Sequence, residues 1–530
     1  MSVDERTNVV KLMNNLEASP ERTGSESSPA QPRRSRSDAT QRPSASRDRL
    51  SRRALFASVA GLASGWAQST ARAVPSAVAA DVDPGALINK LVRRVTMGFT
   101  TAELQLAQSL GYQGYLEYHL NPGAINDSAV DAMVAPLTTL TQTPSQIRSL
   151  PTGVIIAELT QATILRAVFS KRQLFERMVE FWTDHFNIDI NNNEDRYLKT
   201  TDDRVVIRGH ALGNFANLLF ASAQSPAMLY YLDNHVSTAG NPNENYAREL
   251  MELHTMGVDG GYTQQDVEEV ARCFTGWSAF LRSTDPNYGV FRFDATRHDN
   301  GQKTVLGNII PAGGGIADGY RVLNILIDHP STSRFIARKL CRWLLSETPP
   351  TSVVEAVAAT YRATRGDIKA MIRTALNPND LANAAPKYKR PFHHAISGMR
   401  PLLTTITTVA TFRQNYLNAS GHHPFFWATP DGYPDRLEYW VGLVLPRWNF
   451  GAQVVGNQIN GIRVDINDFF RGALTASQMI ERINAGFFGG EMPVAQRDRI
   501  LQHLLPDPPS TLRQQEAVGL AIGSPEFQWY

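Results

Sequence analysis

Only two cysteines, Cys273 and Cys341, occur in the 530 residues, which excludes a disulfide scaffold by count. The chain also lacks a G-x-S-x-G elbow, an H-E-x-x-H zinc helix and any C-x-x-C pair. It has no excess of one charge: 52 Lys and Arg stand against 50 Asp and Glu, a formal net charge of +2. The basic surplus is concentrated before residue 75. The remainder is close to neutral and slightly acidic, so it carries no electrostatic footprint for nucleic acid. Strand-like alternation is rare, and no transmembrane segment is expected in the mature chain.

What is present begins with an unusual start. Residues 1–50 are rich in Ser, Arg, Pro and Thr and too poor in apolar side chains to build a core, which predicts a disordered polar tail. The stretch LSRRALFASVAGLASGWA follows, in which Arg52-Arg53 precedes a short apolar run and then ARAVPSAVAA. This is the pattern of a twin-arginine (Tat) export signal over 51–80, read by the Tat translocase and cleaved to leave a mature chain starting near Asp81. The alternative is a basic tail leading into a buried helix. Export of this kind places the protein in the periplasm or outside the cell. The tail is long for such a signal, and Met13 is one candidate for the true start.

From Leu87 onward the apolar spacing is helical, as in Leu174, Met178, Phe181 and Trp182, and the expected fold class is all-α, one large domain over 81–530 built on helical hairpins. Residues 122–152 read as loop. GVFRFDA is the one strand-like piece, consistent with a short hairpin near 288–296.

The richest stretch is NENYARELMELHTMGVDG, Asn243 to Gly260. Asn243 is placed to cap a helix and Gly257 to end it. TQQD, Thr263 to Asp266, reads as a capping box opening the next helix, on which Val267, Val270, Ala271, Phe274 and Trp277 share a face and Glu268 and Arg272 form a pair. At 100° per residue Asn245, Arg248, Glu249 and Glu252 form one stripe, with His254 almost opposite Glu252. His254 therefore reads as a core-side histidine, its protonated form favoured by the helix C-terminus. The stripe has three readings: a solvated face, a buried polar network, or a functional pair of carboxylates that divides acid and base roles or holds a hard cation. On the functional reading Glu249 and Glu252 are catalytic with Arg248, His298 and Asp299 as helpers. A divalent metal ion would be the cofactor, held by Glu249, Glu252 and Asp233. His298 and Asp299 come from RHDNGQKTVLG, expected to be a loop, and Asp233 from the helix end SPAMLYYLDNHVS. His185 reads as a satisfied core histidine and Cys273 as a buried thiol.

The stretches VRRVTMGFT, FWTDHFNI, SPAMLYYLDN, NENYARELMELHTMGVDGGYTQQDVEEVARCFTGW, HDNGQKTVLG, HPSTSRFIARKL and PDGYPDRLEYW occur in an order that resembles a bacterial family known as domain of unknown function 1800. The resemblance spans roughly 87–525. It implies a large exported helical protein whose neighbour is often a second exported family, domain of unknown function 1501, similar to sulfatases. It supplies no catalytic residues. Two functions stay open: an envelope-associated hydrolase acting on a polysaccharide or similar polymer, and a non-catalytic assembly or binding partner of a sulfatase-like exported protein. The first requires Glu249, Glu252 and a loop histidine to converge in one pocket.

Overall fold

A computed structural model describes residues 83–402 and 404–530. The polar tail and the twin arginine, Arg52-Arg53, lie outside the described residues. The chain is mainly α-helical, as its periodicity implies. The principal helices of the first half are α1 (Pro84–Val95), α2 (Thr101–Leu120), α3 (Thr152–Phe169), α4 (Gln173–His185), α5 (Asp195–Asp202), α6 (Phe215–Ala223), α7 (Glu244–Glu249) and α8 (Gln264–Cys273). Two small antiparallel ribbons follow, β1 (Trp277–Ala279) with β2 (Phe291–Phe293) and β3 (Lys303–Val305) with β4 (Asn308–Ile310). Helices resume with α9 (Ile316–Asp328), α10 (Pro330–Leu344), α11 (Thr351–Thr364), α12 (Ile368–Ala375) and α13 (Pro391–Met399). The last part holds α14 (Val444–Val455), α15 (Ala476–Phe488), α16 (Val494–Leu504) and α17 (Thr511–Gly523), with β5 (Thr405–Ile406) paired to β6 (Ile462–Arg463).

Two large apolar cores organise these elements. The first gathers Trp182, Phe215, Leu250, Trp277 and Leu340 from α1 to α12. The second gathers Phe392, Phe450, Phe487 and Ile522 from the helices after Pro391. Burying each of these side chains contributes about 2–3 kcal/mol, which holds helices that would be marginal alone. Helix α3 is long and apolar enough to cross a membrane by length and composition, the one such helix among the described residues. Here it is shared between cores: Ile164 and Ala167 join the second, Leu159 and Ala162 a smaller third.

The carboxylate-rich helix starts as its sequence predicts, with the Asn243 side chain accepting from the Asn245 N–H at 2.9 Å. Beyond Glu249 it widens. Leu250–Thr255 form a π-helical turn in which the Thr255 hydroxyl donates to the Leu250 carbonyl at 2.6 Å and the Met256 N–H to the Met251 carbonyl at 2.8 Å. The 100° step therefore fails where His254 sits, and Gly257 (φ +85°) ends the element. The TQQD capping box opens α8 as expected.

Three local expectations are corrected. Helix α8 stops at Cys273, and Trp277 belongs to β1 rather than to the helix face. The buried Asn234 amide donates to the Phe274 carbonyl at 3.1 Å and the Trp277 carbonyl at 2.9 Å, which stabilises the turn between them. HDNGQKTVLG is half a loop, its second part forming the β3–β4 hairpin. The stretch 122–152 contains a short helix, Ser128–Val134.

Candidate active site

A cleft of about 670 Å³ opens where the end of α4, one face of α10, the cap of α13 and the loop 431–439 meet. Helix α4 brings Phe181, Asp184 and His185, and α10 brings Lys339, Arg342 and Trp343, spaced three and four residues apart so that they share a face. The loop contributes Asp431, Tyr433, Asp435 and Tyr439.

The buried Arg390 guanidinium organises this floor. It donates to Asp184 Oδ2 at 2.6 Å, to the Tyr433 carbonyl at 3.4 Å and to Glu180. Lys387 holds Asp435 at 2.9 Å. The loop is sewn to the chain after α4 by Asn187, whose amide donates to the carbonyls of Trp427 and Thr429, each at 2.8 Å. Trp427 and Thr429 in turn donate to Asp431 Oδ1 at 2.8 and 2.5 Å, fixing its carboxylate. Gly432 makes the close approach feasible: at φ +72° a Cβ there would stand 2.0 Å from the Asp184 carbonyl oxygen.

Proton affinities in and around the cleft are displaced towards neutrality. Burial pushes the Asp184 carboxyl up to about 6 against the pull of Arg390. Burial brings the Lys339 ammonium down to about 8, although Asp184 and Asp431 oppose the change. Glu249 is pushed up to about 7, first by burial and then by the charges of Glu252 and Asp431, with Arg248 opposing. Asp431 thus lines the cleft and also couples it electrostatically to the carboxylate-rich helix.

Behind the cleft, His185 donates through Nε2 to the His254 carbonyl at 3.1 Å, and the two rings lie 6.1 Å apart. Burial and the nearby Lys339 push His254 down to about 3. It is neutral, so the expected preference for its protonated form is overturned: desolvation outweighs the helix terminus. His185 is buried as predicted, and burial, then Lys339, hold it well below the usual histidine range. His185 Nδ1 and His254 Nε2 have no hydrogen-bond partner among the described residues.

None of the expected site residues lines this cleft; Glu249 is linked to it through the charge of Asp431. Arg248 holds Glu244 and Gln264, each at 2.9 Å. Glu252 accepts from the Tyr262 hydroxyl at 3.3 Å. His298 is buried in a separate network, with Nδ1 on the Thr275 carbonyl at 2.8 Å and Nε2 on Asp318 at 3.3 Å. Lys303 donates to the same Asp318 oxygen at 2.8 Å, and all three side chains are inaccessible. Asp299 receives Arg272 at 2.8 Å, and that hydrogen bond holds its carboxyl below the ordinary value. Arg272 pairs on its other side with Glu269, not with Glu268. Asp233 is exposed at a left-handed position. Among the described residues no group of three or more His, Cys, Asp or Glu side chains is arranged to hold a metal ion.

Reading the sequence by motif missed Asp184, Lys339, Arg390 and Asp431 as site residues. Their signal was nonetheless present: FWTDHFNI, HPSTSRFIARKL and PDGYPDRLEYW supply three of them, and NENYARELMELHTMG supplies Glu249 and His254. Three stretches far apart in the chain that carry one resemblance thus meet at the cleft, and the fourth packs near it through the His185–His254 contact. A family model described as a protein of unknown function (DUF1800) matches residues 90–529. No curated protein and no solved structure matches the chain.

Proposed function

The chain belongs to the DUF1800 family, and we propose that it is a hydrolase that cleaves an acidic polysaccharide by general acid–base catalysis in the Asp184–Lys339–Asp431 cleft. The convergence of Glu249, Glu252 and a loop histidine expected from the sequence is not met. The observation that supports this reading is instead a cleft lined by Asp184, Lys339 and Asp431. In it burial brings Asp184 to about 6 and Lys339 to about 8, with Glu249, at about 7, feeling the Asp431 charge. Glu249, protonated near neutral pH, donates the proton to the departing glycosidic oxygen. Asp431, oriented by Trp427 and Thr429, activates the attacking water. Lys339, Arg342 and Arg436 meet the acid groups of the polymer, and Trp343 and Tyr439 offer flat apolar faces to sugar rings.

Release of reducing ends from a panel of uronic-acid and sulfated polysaccharides tests this. Active protein is expected to lose about 10²- to 10⁴-fold in rate on Glu249→Gln and on Asp431→Asn, with the fold retained. No release from any polymer, or a Glu249→Gln variant as fast as the parent, would refute it. We further propose export by the twin-arginine route, for which the Arg52→Lys plus Arg53→Lys chain should accumulate in the cytoplasm. A second reading, a non-catalytic partner of a sulfatase-like exported protein, draws on the exposed Tyr439, which lines the cleft, and on the exposed Val441 and Leu445 that follow it in the chain. Inactive protein that co-purifies with such a partner, and loses it on Val441→Asp, would favour that reading.

A further inference from the structure

A second cavity, of about 430 Å³, lies between α1, α13, the end of α15 and the C-terminal residues. Its walls are aromatic: Phe99, Phe487, Phe488 and Phe527 all face it. Into this surface comes Lys389, only 5 % exposed, with its ammonium 3.5 Å from the centre of the Phe527 ring. Lys389 Nζ has no hydrogen bond and no acidic partner among the described residues.

The other charges of the cavity are already engaged. Arg93 holds Glu491 at 2.5 Å, and Asn89 donates to the same carboxylate at 2.9 Å. Lys90 donates to the Ala382 carbonyl at 2.8 Å. Glu526 is exposed at the rim. Lys389 is therefore left without a counter-ion in a largely aromatic chamber, where its charged form is disfavoured, a cation–π contact offsets only a part, and an anion would restore the charge. Its surroundings respond accordingly: burial, then Arg93 and Arg447, hold the Lys389 ammonium well below the usual lysine range. A single anion beside Nζ would complete the chamber, and the volume lies within the range of small-molecule sites.

We propose that this cavity binds an apolar molecule bearing one carboxylate, the carboxylate pairing with Lys389 and the body lying among Phe99, Phe487, Phe488 and Phe527. The site is independent of the cleft chemistry, and none of its residues has a role there.

The test is isothermal titration of the full-length protein with 2-naphthoate and with its neutral counterpart 2-naphthylmethanol. Naphthoate should bind one per chain, at least about tenfold tighter than the alcohol, as expected for a charge-assisted pair out of water. Lys389→Met, close in volume and apolar, should erase that preference, with the thermal midpoint confirming the fold. Equal affinity for the two probes, absence of saturable naphthoate binding up to solubility, or unchanged preference in Lys389→Met would each overturn the proposal. The comparison of the two probes on the parent protein decides it even if the variant does not fold.

Discussion

Two clusters of charge in this molecule contain the same residue types and behave in opposite ways. Around Asp318 a histidine, a lysine and an aspartate are sealed from solvent, and each has its partner: Lys303 at 2.8 Å, His298 at 3.3 Å, and His298 again on the Thr275 carbonyl. Around the cleft, Asp184 and Lys339 are buried beyond what their partners return, so that the proton affinities of these two groups drift towards neutrality. Residue type did not separate the two clusters. The position of the partner did. A charge matched by its partners in a dry space acts as architecture; one whose burial outweighs its partners, as at Asp184 beside Arg390, has protons to exchange.

The comparison breaks most sharply at Asp318. Asp318→Leu leaves the inaccessible Lys303 without its carboxylate, and removing one member of a buried pair costs about 3–5 kcal/mol. Urea denaturation should show a loss of that size, and Asp318→Leu with Lys303→Met should recover much of it. The matching change at the cleft, Lys339→Met, should cost well under half as much, because Lys339 is not tied into a sealed pair. Equal losses at the two sites would erase the distinction between them.

A smaller effect is expected at Gly432, where the cleft loop meets the end of α4. The Cβ of Gly432→Ala would stand 2.0 Å from the Asp184 carbonyl, at φ +72°, so the loop must move. Crowding of this kind costs about 1–3 kcal/mol. It should also shift Asp431 away from the groups it faces. Gly442→Ala meets nothing within 4 Å and serves as the control. A thermal midpoint for Gly432→Ala equal to that of the control would show that the loop does not depend on this contact.

Local signals in the sequence were legible where a few neighbouring residues decide the outcome. Asn243 caps, Gly257 terminates, Thr263 and Asp266 form their box, and His185 and Cys273 are buried. Signals failed where a distant partner decides. Arg272 chooses Glu269 and Asp299 over Glu268, because β3–β4 brings the loop of Asp299 against α8. His298 looked like loop chemistry but is held by Asp318 from α9. The π turn at Leu250–Thr255 has no sequence rule at this spacing, and it rotates His254 out of the frame assumed for it. Of the residues given roles at the cleft, the carboxylate-rich helix had named only Glu249; Asp184, Lys339, Arg390 and Asp431 come from segments that only the fold brings near one another.

The finest distinction is the sign of pH dependence at two carboxylates, Glu249 and its expected helper Asp299. Glu249 has a folded-state value of about 7, above its ordinary 4.5, so the folded protein retains a proton that the unfolded chain gives up. Its contribution to stability is fully present below about 4.5 and is lost as pH rises to about 7. Glu249→Gln removes that loss, and the variant should gain on the parent between pH 4.5 and 8. The gain is about 1 kcal/mol at most, since solvent screens a half-buried side chain. Asp299 runs the other way: Arg272 lowers its value, so its contribution is present at neutral pH and is lost on acidification below the ordinary carboxylate range. Asp299→Asn should therefore be the less stable partner at pH 7 and converge with the parent in acid. Urea midpoints for both variants across pH 3–8 read the two signs directly. Parallel curves for Glu249→Gln and the parent would mean that Glu249 is solvated like any surface acid, and the carboxylate-rich helix would then be a wet face rather than part of the cleft.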